Sequence, residues 1–364
     1  SQLKWYDFDM ILIRIATRLM RWAKTVKDFE KQIYKKYKAL VPPTWRAPAR
    51  WVWGILGISA LLWWQGQAAQ SAPPLTVYFY DIGQGDALHI RTAAGFDVLI
   101  DGGPTGRVVE KLGRTLPFWD DTIELMVLTH PHADHVAGLI EVLRRFRVER
   151  VLATGVLHTT DEYREWLQEI KKQGIIMEIA KAGQEIPISD PTGHHPQGDK
   201  LKILYPDQDF SGKRVTKGKI GEGGGLNDTS IVIKLTFGQT SFLLMGDATS
   251  AVEEELTQCV LASAPRGERG DPLAGDCHGL QPRNDGLKSD VLKVGHHGSK
   301  YSTSRQFLKA VRPRYAVIQV GENRYGHPAF ATLHRLQQAG VEILRNDQDG
   351  DVVFESDGSL VRRR

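Results

Sequence analysis

The sequence predicts a layered α/β fold, and three observations carry that prediction. From Leu75 onward, strand-like and helix-like patterns alternate to the end of the 364-residue chain without an internal repeat. An apolar strand pattern, Ile123–Leu128, runs directly into Thr129-His130-Pro131-His132-Ala133-Asp134-His135, after which helical periodicity begins. Other His- and Asp-bearing segments also follow strands, as in a site built along one edge of a sheet. The 41% apolar and 25% charged content is that of a globular protein with a core.

In chain order, residues 1–46 read as a basic helical arm. Residues 1–50 hold 12 Lys/Arg and 4 Asp/Glu, a net +8 against +4 overall, so the body carries −4. That body lacks the broad basic surface of a tight duplex binder; only a local basic groove would serve. Apolar positions recur at helical spacing over residues 8–40 (Phe8, Ile11, Leu12, Ile15, Leu19, Trp22), and Pro42-Pro43 stops the helix.

Residues 47–69 are expected to form a membrane-anchor helix. The uncharged run Trp51–Trp64 is short, but Gln65–Ala69 extends it to the ~20 residues a span needs. Tryptophans mark both ends, as at membrane interfaces. A buried core helix and a cleaved signal peptide are the alternatives. Lys and Arg crowd the N-terminal side, and none follows until Arg91. Orientation by positive charge therefore puts residues 1–50 in the cytoplasm, the arm along the anionic inner leaflet, and the body outside. Residues 70–74 read as a linker and 75–364 as one large folded domain.

Within that domain, strands are expected at 76–80, 87–91, 96–100, 123–128, 151–153, 175–179, 201–204, 230–236, 241–245, 290–294, 315–320, 341–344 and 352–354. Helices are expected at 108–116 and 134–146. Residues 206–226 and 262–289, rich in Gly, Pro and polar types, read as loops. Cys259 and Cys277 have no metal-ligand spacing. They are two free thiols, or one disulfide if the domain lies outside the cytoplasm.

The chemistry is carried by the cluster at 130–135. Three imidazoles and a carboxylate in so short a segment are not core filler, because buried His and Asp need partners. Imidazole suits zinc and similar ions, and carboxylate adds charge compensation. In a tight turn, His130 and His132 can converge on one ion while Asp134 and His135 reach a second. Asp247 closes the strand Ser241–Met245 at Gly-Asp and is expected to bridge two cations; the competing reading is a helix N-cap. His296-His297 follows one strand and His327 another, as further ligand candidates.

These segments resemble the metallo-β-lactamase superfamily, and within it the extracytoplasmic hydrolase domain of the ComEC competence proteins. The residues that carry the resemblance are Asp81-Ile-Gly-Gln-Gly-Asp86, Leu99-Ile-Asp101-Gly-Gly103, His130–His135, Asn227-Asp228-Thr-Ser230, Leu244-Met-Gly-Asp247, Leu292-Lys-Val-Gly-His296-His-Gly-Ser299 and Tyr325-Gly-His-Pro328. The resemblance implies an αββα sandwich with two divalent ions, Zn²⁺ or Mn²⁺, at its edge. Asn227 stands where the wider superfamily has a metal-binding His, and is typical of ComEC-like domains. Asp101 resembles the family's carboxylate that orients the His loop. Asp81, Gln84 and Asp86 are family-typical and read mainly as loop-forming.

Two metals ~3.5–4 Å apart suit phosphodiester hydrolysis. Lys293 or Lys300, with the second imidazole of His296-His297, is expected to stabilise a phosphate oxygen. The resemblance implies a nuclease acting on DNA during uptake. Its expected partners are DNA, the membrane through the N-terminal segment, and a DNA-uptake channel protein. A ComEC channel region has no counterpart here, so the chain is expected to be a free-standing, membrane-tethered relative or a fragment. The rival enzyme acts on a small phosphodiester, a phosphocholine ester or a lactone; the linear sequence shows no aromatic–basic stripe. The rival from another class is a non-catalytic module of an envelope complex.

Overall fold

The structure is a computed structural model; it describes residues 75–188, 199–215, 225–262 and 286–364, with isolated positions 31, 32, 35, 36 and 59. The chain divides into two compact units, residues 1–71 and 72–364. In the first, Lys31, Gln32, Lys35 and Lys36 are helical and exposed, consistent at those positions with the expected arm helix. The rest of the arm and, Ser59 apart, the expected anchor at 47–69 lie outside the described residues. So does Cys277, and with it the expected bridge to Cys259. Among the described residues no helix is long and apolar enough to cross a membrane.

The second unit is a four-layer αββα sandwich. One sheet has the order β15-β14-β1-β2-β3-β4-β5-β6. Its strands are β1 (Leu75–Phe79), β2 (Leu88–Arg91), β3 (Asp97–Ile100), β4 (Thr122–Leu128), β5 (Arg147–Ala153), β6 (Ile176–Ile179), β14 (Val352–Ser356) and β15 (Val361–Arg363). The other has the order β13-β12-β11-β10-β9-β8-β7. It contains β7 (Glu185–Pro187), β8 (Lys200–Tyr205), β9 (Val232–Phe237), β10 (Thr240–Leu244), β11 (Val291–Lys293), β12 (Tyr315–Ile318) and β13 (Glu342–Arg345). Neighbours from β3 to β6 and from β10 to β13 pair in parallel.

The alternation of β4 shows how the layers form. Leu125 and Val127 point into the core between the sheets, with Ile203, Leu235 and Leu244 of the opposite sheet. Met126 and Leu128 point the other way, beneath helices α1 (Arg107–Thr115), α2 (Ala133–Arg145) and α3 (Asp161–Gln173). The second sheet repeats the arrangement. Leu243, Leu292 and Ile318 pack against α4 (Ser250–Ala262), α5 (Arg305–Val311) and α6 (Phe330–Gln338). A short α7 (Asn346–Asp349) precedes β14. Parallel strands covered on both faces read as nearly continuous apolar runs, which is why β4 and β12 are visible in the sequence.

Most expected strands and both named helices occur within a few residues of their predicted bounds. β5 starts at Arg147, earlier than expected, because its exposed Arg147 and Glu149 alternate with buried positions. β7 and β15 are too short to present a period.

Helix α2 lies unusually close to the loop after β3. Gly138 N donates to the Gly103 carbonyl at 2.9 Å, and Gly102 N donates to the His135 carbonyl at 2.7 Å. A Cβ on Gly138 would collide with the Gly102 carbonyl oxygen. The glycine thus sets the depth at which His135 enters the site. Gly138→Ala is expected to destabilise the domain by about 1–3 kcal/mol through overpacking, measurable as a lower urea midpoint at unchanged slope.

Candidate metal centre

The site forms where the strands of both sheets end. β4 ends at Leu128, His132 occupies the N-cap position of α2, and the cluster fills the turn between them. Asp101, just past β3, holds this turn. Its carboxylate accepts from Thr129 N at 2.8 Å, Thr129 Oγ1 at 2.7 Å and His135 Nδ1 at 2.8 Å. Asp101 is buried and has a left-handed backbone (φ 59°), a conformation that His296 and His297 share (φ 47° and 49°). Such conformations cost of order 1–3 kcal/mol each and gather at functional sites.

Three imidazoles face one carboxylate oxygen. The Nε2 atoms of His130, His135 and His297 lie 3.8, 3.5 and 3.5 Å from Asp247 Oδ2. Each ring's Nδ1 is engaged elsewhere. His297 Nδ1 donates to the Gln319 carbonyl at 2.8 Å, and His135 Nδ1 donates to Asp101. The Thr129 hydroxyl donates to Asp101, so His130 Nδ1 donates to Thr129 Oγ1 at 3.1 Å. In the neutral rings, Nε2 then turns a lone pair toward a carboxylate, an arrangement that calls for a cation between them. Asp134 Oδ2 lies 3.4 Å from His297 Nε2, and His132 Nδ1 lies 2.9 Å from His130 Nε2.

The electrostatics show how much negative charge gathers around these rings. Burial opposes charge on His297, yet Asp247 and Asp86 raise its pKa to about 10. Burial likewise opposes charge on His135, but Asp247, Asp101 and Asp134 raise it well above its ordinary value. Against the penalty of burial, His297 and His135 hold Asp247 well below the usual carboxylate range. Asp134 is lowered to about 2, the pull of His135 and His297 overcoming its burial. His130 is pushed well below its ordinary value by burial, then by its imidazole neighbours.

Buried atoms without a hydrogen-bond partner converge here: His135 Nε2, His297 Nε2, Asp247 Oδ1, Asp86 Oδ1, Asn227 Oδ1 and His327 Nδ1. Buried polar groups are normally satisfied. The donor set suits a divalent ion. Among the described residues, His130, His135 and Asp247 cluster closely enough to hold one, as do Asp134, His135 and His297, and Asp86, Asp247 and His297.

One competing reading falls and two sequence expectations change. Asp247 does not cap a helix, since α4 begins at Ser250 and the carboxylate turns to the imidazoles. Asp86 does more than form a loop. It is buried, ion-paired with Lys293 and 3.3 Å from His297 Nδ1. Lys293, expected at a phosphate oxygen, is buried; its ammonium binds Asp86 and donates to the Gly246 carbonyl at 2.7 Å. Asp81 fits its expected turn role, accepting from Gly83 N at 3.3 Å.

His296 sits apart from His297. Its ring nitrogens lie 3.0 and 3.3 Å from Asn227 Nδ2, and its ring centroid is 5.2 Å from that of His327. With Asn227, Asp134 and His132, these residues line an open cleft of about 370 Å³. Burial lowers His296, and burial with the nearby imidazoles lowers His327 to about 4, so both are neutral near pH 7. Sequence reasoning missed His158, which lines the same cleft with its ring 6.2 Å from His132. Its one signal was its place shortly after a strand.

A family model described as the metallo-beta-lactamase superfamily matches residues 80–322. ComE operon protein 3 of Bacillus subtilis is 27% identical over 292 residues, covering 75% of this chain and 32% of that protein. Recombination protein 2 of Haemophilus influenzae is 27% identical over 289 residues, covering 78% of this chain and 29% of that protein. Competence protein ComA of Neisseria gonorrhoeae is 34% identical over 129 residues, covering 35% and 15%. The chain thus spans at most about a third of the length of these relatives. The metallo-beta-lactamase fold protein YhfI of Bacillus subtilis overlays with a TM-score of 0.45 at 10% identity, covering 78% of this chain and 100% of that one.

The geometry separates the two adjacent histidines. His297→Ala is expected to lose most bound metal, whereas His296→Ala retains it. Asp101→Ala is expected to weaken metal affinity by roughly 10–100-fold through the freed His135 ring. Metal content of each purified variant by plasma mass spectrometry, with circular dichroism as the folding control, checks all three.

Proposed function

The chain belongs to the metallo-β-lactamase superfamily, and we propose that it is a metal-dependent phosphodiesterase cleaving DNA at the cell envelope during DNA uptake. The observation that carries this reading is the convergence of three imidazole Nε2 atoms on Asp247 Oδ2, beside an open cleft. The competence relatives support DNA uptake as its setting.

On this reading His130, His132, His135, His297 and Asp247 hold two divalent ions, Zn²⁺ or Mn²⁺, with Asp134 and Asp86 adding charge and His327 completing one set. Ions held there supply Lewis-acid neutralisation of a phosphoryl oxygen and acidify water. The chain does the remainder. Asp101 fixes the His135 tautomer and with it the direction of Nε2. Lys293 offsets the buried Asp86 charge, so its role is to compensate the site rather than touch phosphate. Asn227 and His296 face the cleft, where an amide N–H and an imidazole N–H donate to a phosphate oxygen as its charge grows.

The N-terminal region completes the proposal. Residues 47–69 anchor the chain with residues 1–50 cytoplasmic and the hydrolase outside, near a DNA-uptake channel protein, where an oxidising exterior permits Cys259 and Cys277 either to stay free thiols or to form a bridge. Reporter fusions read the orientation, and non-reducing mass spectrometry the bridge. A second reading, hydrolysis of a small phosphodiester, draws on the cleft volume, which lies at the small-molecule end of ligand sites.

Metal-loaded protein is expected to cleave DNA, to lose activity on chelation, and to regain it with Mn²⁺ or Zn²⁺. Asp247→Asn is expected to cost about a hundredfold or more, a few kcal/mol of transition-state stabilisation; Asp81→Asn should cost far less. Cleavage at subsaturating DNA should fall steeply with salt. A folded, metal-loaded protein that spares all DNA yet turns over bis(p-nitrophenyl) phosphate moves the assignment to the small substrate.

A further inference from the structure

The linear sequence shows no aromatic–basic stripe, but the fold assembles one from residues 300–338. It begins at the cleft, which Tyr325 lines with its side chain 75% exposed. Five residues on, Phe330 opens α6 and is 81% exposed. A single exposed ring needs no explanation, but exposed rings grouped on one surface mark interaction sites.

From Phe330 a ridge of contacts runs down one face of α6 at the i, i+4, i+8 spacing. Phe330 stacks on His334 at 5.9 Å between centroids with 10° between planes. His334 Nε2 lies 2.8 Å from Gln338 Nε2, and Gln338 Oε1 accepts from Arg305 Nη2 at 2.7 Å. Eight residues of helix make the ridge about 12 Å long.

At its far end, Arg305 and Gln338 enter a groove of about 500 Å³ between α5 and α6. Lys309, Arg312 and Arg335 also line this groove, and among the described residues no carboxylate does. Arg305, Lys309 and Arg312 are exposed. Arg335 is tied down, donating to the carbonyls of Thr303 at 2.8 Å and Ser302 at 2.7 Å. It thereby clamps α6 to the loop that follows His296-His297. On that loop Lys300 lies over the exposed Tyr301 ring, 4.9 Å from its centroid.

We propose that Tyr325, the Phe330–His334 ridge and the Arg305–Lys309–Arg312 groove form a track that holds single-stranded DNA leading into the cleft. The proposal rests on the phosphodiesterase reading above and adds where the strand lies. Exposed rings supply faces on which unpaired bases stack, and the groove supplies cations for the phosphates. A duplex keeps its base faces stacked inside and offers the rings nothing. A lipid surface would use the cations and leave a ridge of stacked rings without a role.

The test is binding rather than cleavage, on the full chain with metal chelated, using a fluorescein-labelled oligothymidylate and fluorescence anisotropy. Phe330→Ala is expected to weaken binding roughly tenfold, the loss of one base stack. The pair Lys309→Ala and Arg312→Ala should lower the slope of log affinity against log salt by roughly 1.4, about 0.7 for each phosphate contact. The pair Lys171→Ala and Lys181→Ala, which removes equal charge from exposed sites elsewhere, should leave affinity and slope at wild-type values.

Equal losses from both pairs overturn the track, because net charge then explains binding. Equal sensitivity of duplex and single strand to Phe330→Ala overturns stacking. Variants that lose only their binding to phosphatidylglycerol vesicles assign the surface to a membrane and overturn the proposal. Unchanged oligonucleotide binding in a protein that cuts DNA removes the track and keeps the hydrolytic reading. Loss of binding in a protein that cuts no DNA with any metal keeps the track and removes that reading.

Discussion

The Asp101 carboxylate accepts three hydrogen bonds from the segment that follows β4, and the site is organised around this contact. An ionised carboxylate stripped of water is costly unless donors replace the water. Burial indeed raises the Asp101 pKa, an effect that His135 opposes first. The three donors join the end of β3 to the end of β4 and the first turn of α2. They fix His135, and through Thr129 they fix His130. Gly102 and Gly138, which let α2 sit against the β3 loop, make that closeness possible. Backbone strain at Asp101 itself persists because every neighbouring contact holds it.

Charge balance is the second constraint. Asp86, Asp101, Asp134 and Asp247 gather within a few ångströms of the site, and against them stands the Lys293 ammonium. Carboxylates packed this densely demand further positive charge. Either the imidazoles supply it as imidazolium, which is why His135 and His297 are pushed upward, or divalent cations supply it and the rings stay neutral. The same geometry therefore serves both states. The Asp86–Lys293 pair belongs to this balance, and its burial explains why Lys293 is out of reach of a substrate.

The αββα layering makes such a centre available. Parallel strands send their carboxyl ends to one edge, so the loops after β3, β4, β10, β11 and β12 meet although their residues span Asp101 to His327. The loops after β11 and β12 do a second thing. They lead into α5 and α6, which carry the exposed Phe330 ring and the exposed Arg305, Lys309 and Arg312 side chains. The proposed track and the candidate metal centre thus arise from the same two crossovers.

The sequence by itself determined whatever is written in short windows. The strand-to-helix junction at His130–His135, the Gly-Asp at Asp247 and the apolar runs of β4 and β12 are local patterns, and the fold repeats them nearly in place. Short β7 and β15 left no period to read, and the charged exposed face of β5 hid its first residues. What only the tertiary structure decided are contacts between residues far apart in the chain. Whether His296 or His297 turns inward depends on the Gln319 carbonyl across the sheet. Asp86 became part of the centre because Lys293, two hundred residues away, meets it in the interior. The aromatic–basic face exists because Arg335 and Gln338 reach back to the loop and helix before β12. Spacing along the chain records local geometry, while burial, charge pairing and side-chain direction arise when the sheets close on one another.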